Sequence, residues 1–204
     1  MINNKYIYIN ETSLSSEFCL DIIELFENNT NKRDGITLEG VNKNIKDTVD
    51  LNIPLNDEKW YKYSSFLKKE LNRNIIKYLG VLNDNKELVN DNQLSSDLKY
   101  IFFNNDVLSS DILLMQRYKQ NTGKYIYHND FALNPTTKKY RVITFLWYIN
   151  TVEEGGETCF GESFKIKPEQ GKLILFPACW TFPHCGKVPL SGDKYIVTGW
   201  LYRD

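Results

Sequence analysis

Lys194-Tyr195-Ile196-Val197-Thr198-Gly199-Trp200-Leu201-Tyr202 reads as a β-strand. At period 2, Lys194, Ile196, Thr198, Trp200 and Tyr202 share one side, and Tyr195, Val197, Gly199 and Leu201 share the other. Either side is largely apolar, so the strand is expected to be covered on both. Upstream, strand character recurs at Ile112–Lys119, Lys124–His128, Tyr140–Asn150, Glu157–Phe160 and Lys172–Phe176, punctuated by Gly, Pro and Asn. So many short strands in about a hundred residues, with no helical pattern between them, predict an antiparallel sandwich or small jelly-roll barrel.

The first half differs. Ser15-Ser16-Glu17-Phe18 opens a helix with apolar residues at Phe18, Ile22, Ile23, Leu25 and Phe26. A polar loop, residues 28–43, precedes Thr48–Ile53, which alternates like a strand until Pro54. Trp60, Phe66, Leu67, Leu71, Ile75, Ile76 and Leu79 mark a longer helix, expected to end near Gly80. A second polar loop spans 83–105. The expectation is one domain over 1–204, of mainly β α+β class: a helix-rich support, 1–105, packed on a barrel core, 106–204.

Composition narrows the function. With 204 residues, 42% hydrophobic and 14% aromatic, the chain can bury a sizeable core. A net charge of −1 gives no global pull toward nucleic acid or an anionic membrane. The longest apolar run, Val142 to Ile149, is too short to cross a bilayer. Cys19, Cys159, Cys179 and Cys185 show no CxxC spacing and read as reduced thiols. A soluble, cytoplasmic protein is the expectation, and no motif specifies an oligomeric state.

Only two histidines occur in the chain. His128 is followed two places later by Asp130, and His184 lies ten residues before Lys194. Residues two apart on a strand share a side, so His128 and Asp130 can project together while Asn129 points away. Two imidazoles and a carboxylate form the facial triad that holds Fe(II) and leaves positions open. His-x-Asp alone recurs by chance, and His128 alone also fits a surface or core histidine. Lys194, on a strand covered on both sides, is costly unless an anion meets it. It also reads as an exposed edge lysine or one paired with a protein carboxylate.

The order His128-x-Asp130, His184, Lys194 resembles the 2-oxoglutarate and Fe(II)-dependent dioxygenases, in particular their prolyl 4-hydroxylase-like branch. Gln116-Arg117-Tyr118, Gly123-Lys124-Tyr125, Phe145-Leu146-Trp147-Tyr148-Ile149-Asn150, Gly155-Gly156-Glu157-Thr158-Cys159-Phe160 and Val188-Pro189-Leu190-Ser191-Gly192 fall in the same order, over about residues 111–204. The resemblance implies a double-stranded β-helix, with Fe(II) on His128, Asp130 and His184. It implies 2-oxoglutarate as cosubstrate, its distal carboxylate on Lys194 and its pocket lined by Tyr118, Tyr148 and Thr198. It places Trp200 and Tyr125 in the substrate pocket. Each tyrosine also reads as a core aromatic with a satisfied hydroxyl. O2 is the second cosubstrate and ascorbate an accessory reductant.

By the same resemblance the reaction is a hydroxylation and the leading substrate a prolyl or other peptidyl residue. A free amino acid or other small molecule is the alternative. Nucleic acid is disfavoured, because only Lys187, Lys194 and Arg203 supply cations after His184. Two further classes are compatible with this ligand set. A zinc hydrolase could use the same ligands, but HExxH is absent and Lys194 would have no task. A barrel that binds metal without catalysis is the other.

Overall fold

In the computed structural model the described residues are 4–37, 39–84 and 113–203. After a 3-10 turn at Asn4–Tyr6 come β1 (Tyr8–Asn10), α1 (Ser16–Glu27), β2 (Arg33–Asp34), β3 (Lys46–Asp47), β4 (Val49–Asn52) and α2 (Glu58–Asp84). The second half supplies β5 (Leu114–Tyr118), β6 (Lys124–His128), β7 (Tyr140–Tyr148), β8 (Thr158–Phe160), β9 (Phe164–Ile166), β10 (Leu173–Pro177), β11 (His184–Gly186) and β12 (Lys194–Arg203). One sheet runs β1-β10-β7-β12-β5-β4-β2 and the other β3-β6-β11-β8-β9, every neighbouring pair antiparallel. Together they form a double-stranded β-helix.

The helices cover the outside of the larger sheet. Ser15 caps α1, its hydroxyl accepting from the Phe18 N–H at 3.2 Å, and Cys19, Ile22 and Phe26 turn inward. Asp57 does the same for α2, accepting from the N–H groups of Lys59 and Trp60. Trp60, Leu67, Leu71, Tyr78 and Leu82 then lie buried along one stripe. The helix does not end at Gly80 but runs four residues further. Burying Leu82 outweighs the roughly 1 kcal/mol that a helical glycine costs.

Alternation along the strands separates two cores. Phe145, Trp147 and Val197 join the helices in one cluster; Leu146, Tyr148 and Ile196 point the other way, into a second between the sheets. This is why β12 is apolar on both sides. The polar loop 28–43 contains β2 and a bridge between Thr37 and Gly40, so it is not wholly irregular. β2, β3, β9 and β11 are two or three residues long, too short for a periodic signal. The first half thus adds four strands to its two helices, and β1 and β4 pair directly with barrel strands. Residues 85–112 lie outside the described residues; most of the loop 83–105, the 105/106 boundary and the start of the strand expected at Ile112 fall there. Among the described residues, no helix is long and apolar enough to cross a membrane.

Candidate metal centre

His128 ends β6 and His184 begins β11, and the two are register partners across the antiparallel pair. Asp130 follows β6 by two residues and is buried. The potential ligand atoms of the three lie within 4.8 Å of one another. His128 Nε2 is 3.7 Å from Asp130 Oδ1, and His184 Nε2 is 3.6 Å from Asp130 Oδ2. Donors about 2.1 Å from a common ion stand roughly 3–3.6 Å apart, so a small contraction admits one.

The surroundings prepare the ligands. His128 Nδ1 donates to the Ile126 carbonyl at 2.8 Å and His184 Nδ1 to the Phe182 carbonyl at 3.2 Å, which leaves both Nε2 lone pairs toward Asp130. Burial, with the neighbouring His184, pushes the His128 imidazole down to about 4, so it is neutral at pH 7. Burial alone would raise the Asp130 carboxyl. The His184 and His128 rings outweigh it and hold the group below its ordinary range, helped by the Thr144 hydroxyl, which donates to Oδ2 at 2.7 Å. Neutral imidazoles and an ionised carboxylate are the forms that bind a divalent ion.

The triad opens into a cavity of about 280 Å³. Lys194, Tyr118, Thr198, Trp200 and Tyr125 all line it. Lys194 is 1% exposed. Its Nζ donates to the Gly156 carbonyl at 2.9 Å and lies 3.9 Å from the Tyr118 ring centre, with no ion-pair partner among the described residues. Burial pushes this ammonium down to about 7. The readings of Lys194 as an exposed or carboxylate-paired lysine therefore do not hold. At Gly186 a Cβ would stand 3.1 Å from Tyr118 Cε1 and 3.4 Å from Lys194 Nζ, so glycine keeps room beside the ammonium.

Tyr148 is placed otherwise. It does not line the cavity; its hydroxyl donates to Thr158 Oγ1 at 2.6 Å, and Thr158 occupies the wall. Having accepted that bond, Thr158 can turn its own O–H into the cavity. Thr198 lines the wall, but its hydroxyl donates to the Phe145 carbonyl at 2.8 Å. Sequence reading missed Thr158, Thr144, Gln116, Lys46 and Arg141. Arg141 stacks on Trp200, its guanidinium carbon 3.6 Å from the ring centre. The Trp200 indole N–H faces Asp130 and helps hold that carboxyl down, and Arg141 Nε is a buried donor without a hydrogen-bond partner. Such a donor is costly to leave unpaired and is suited to an acceptor brought by a ligand.

The sequence profile of the 2OG-Fe(II) oxygenase superfamily matches residues 113–202. The matched segment runs from β5 into β12 and includes His128, Asp130, His184 and Lys194. Prolyl 4-hydroxylase 13 of Arabidopsis thaliana is 32% identical over an alignment covering 30% of this chain and 31% of that protein. The alignment thus spans less than a third of the curated relative. Two solved prolyl hydroxylases share the fold over nearly the whole chain. The viral collagen prolyl hydroxylase of Paramecium Bursaria Chlorella virus-1, with 2OG, has a TM-score of 0.62 and 20% identity over 100% of this chain and 99% of that one. A prolyl hydroxylase from Trichoplax adhaerens, in complex with a hypoxia inducible factor oxygen degradation domain peptide, has a TM-score of 0.67 and 19% identity over 99% and 86%. The His-Asp-His cluster and the buried lysine without a counter-ion share one cavity, as a metal and a dicarboxylate would require.

Proposed function

We propose that this protein is an Fe(II)- and 2-oxoglutarate-dependent dioxygenase that hydroxylates peptidyl proline, working as one catalytic domain. The observation that carries the reading is the placing of a His-Asp-His triad and a buried ammonium without a counter-ion on one cavity.

His128, Asp130 and His184 would hold the ferrous ion on one side, leaving the opposite side to ligands. Lys194, with the Thr158 hydroxyl that Tyr148 orients, would receive the cosubstrate's distal carboxylate. Thr144 fixes the Asp130 carboxylate through its 2.7 Å bond. When bound, ferrous ion and 2-oxoglutarate would supply the electrons that activate O2, the oxidant, whose atoms end in a substrate hydroxyl and in the succinate released with CO2. The buried walls keep bulk water from the reacting atoms.

Peptidyl proline is supported by the prolyl hydroxylase character of the relatives and by the peptide bound to one of them. Apolar side chains at the mouth would meet such a peptide. Ile36 and Phe131 line the cavity while half exposed, and Phe131 stacks on Tyr140 with ring centres 5.6 Å apart. Arg141 Nε would supply a donor for a backbone carbonyl. The family likeness also supports ascorbate as accessory reductant, and four free cysteines support a reducing, cytoplasmic setting.

The test is incubation with Fe(II), 2-oxoglutarate and a panel of proline-containing peptides, with free proline as control. Succinate and a peptide gain of one oxygen atom are expected. Turnover of free proline alone would transfer the assignment to the small-molecule reading. Succinate no higher than in His128→Ala would refute the enzyme reading.

A further inference from the structure

The metal face is supported from outside the segment that matches the family. Lys46, in β3, is the register partner of Tyr125 in β6. Its ammonium lies 2.7 Å from Asp50 Oδ2, with both residues buried. Thr48 donates to Asp50 Oδ1 at 2.7 Å, and Gln116 Nε2 donates to both carboxylate oxygens at 3.1 Å. Asp50 is therefore held by three groups, and Lys46 is held by Asp50. From this seat the ammonium stands 5.5 Å from the centre of the Tyr125 ring, within cation–π range. The Tyr125 ring in turn stacks on the His128 imidazole, with centres 3.5 Å apart and planes 14° from parallel.

The two ligand imidazoles are held differently. His184 is wedged between Phe176 and Phe160, at 4.8 Å and 5.6 Å. His128 has an in-plane tether, the Nδ1–H bond to Ile126, and Tyr125 as the ring stacked flat on it. The in-plane bond permits rocking about its own axis; the stack stops it. Across the strand on the other side, Tyr125 meets Gly186, which has no side chain to brace it. The brace comes from Lys46.

We propose that Lys46, seated on Asp50, is a positioning residue for His128, acting through the Tyr125 ring to set the angle at which the imidazole meets the metal. The proposal rests on the reading of the triad as a metal site. It predicts a coupling between the buried ion pair of the first half and metal affinity in the second.

Co(II) titration of the full chain, read by its ligand-field absorption and by calorimetry, tests this without turnover. Lys46→Met would strand a buried carboxylate and threaten folding, so the decisive variant is Lys46→Met with Asp50→Leu, an apolar pair such sites often tolerate. Co(II) affinity is expected to fall about tenfold, as when outer partners of a metal ligand are removed, and the ligand-field bands to shift. Lys46→Arg, which keeps the charge over the ring, is expected to retain most of the affinity. A purely structural role would lower the melting temperature and leave affinity and spectrum unchanged. The proposal is overturned if the double variant binds Co(II) as the native chain does, or if Lys46→Arg loses as much as the double variant. Equal Co(II) binding by the native chain and His128→Ala would instead overturn the metal-site reading beneath it.

Discussion

Replacing Lys194 by Met removes the buried charge proposed to meet a dicarboxylate while keeping the volume of the side chain. In the protein the ammonium has a carbonyl, an aromatic face and no counter-ion among the described residues, at 1% exposure. Removing one partner of a buried charge pair costs about 3 kcal/mol or more, which is about 150-fold or more in Kd for 2-oxoglutarate. The native protein should also show a proton signature. Burial holds Lys194 near 7, so at pH 8 only about a tenth of the unliganded protein carries the charge. A bound carboxylate favours the protonated form and raises the pKa, so binding at pH 8 should take up close to one proton. Affinity should be level below pH 7 and fall about tenfold per unit above it, until the pKa of the bound form is reached. Calorimetry on Mn(II)-loaded protein, in phosphate and in Tris, measures the uptake as a buffer-dependent heat. Equal heats in the two buffers with affinity flat from neutral to alkaline pH, or near-native binding by Lys194→Met, would refute the reasoning.

Three other outcomes are expected. Asp130→Ala should abolish succinate release with the fold retained, since the change removes an anionic ligand and no core packing; circular dichroism and succinate release check it. Thr144→Val strips the 2.7 Å bond from Asp130 Oδ2, and metal affinity should fall about tenfold or more, measured by Mn(II) titration. Gly171→Ala should destabilise the protein by about 1–3 kcal/mol in chemical denaturation. Gly171 has φ +83°, a Cβ there would strike the Leu14 carbonyl, and its own carbonyl receives the Ser13 and Leu14 N–H groups.

Strand parity made much of the fold and site legible. It put His128 and Asp130 on one side and showed β12 to be covered on both faces. It failed where the backbone inserts a residue. His184 pairs with His128 but Gly186 with Tyr125, so β6 carries one extra residue, and Tyr125 comes to lie on the side of His128 against the rule of two. Ile126 and Tyr127, consecutive and both exposed, mark the place. A second bulge does the same for Arg141. Leu201 pairs with Ile143 and Tyr202 with Arg141; Val142 packs toward the helices and Arg141 turns into the cavity. Neither insertion leaves a signature in residue type. Thr158 escaped notice for another reason. Tyr148 looked like the polar handle, and only the packed barrel shows its hydroxyl spent on a neighbour. Lys46 joins the wall through the pairing of β3 with β6 over a long sequence distance, which local patterns do not encode.

His128 and His184 stand directly opposite each other on adjacent strands, and β11 is only three residues long. A divalent ion gripped by both would therefore rivet the two strands together at the rim of the smaller sheet. Loading with iron and tightening of that rim become one event. A chelator should then do more than silence the chemistry: it should let the amides of residues 184–186 exchange faster and expose this corner to proteases, so that the protein advertises in its own resilience whether it is charged for work.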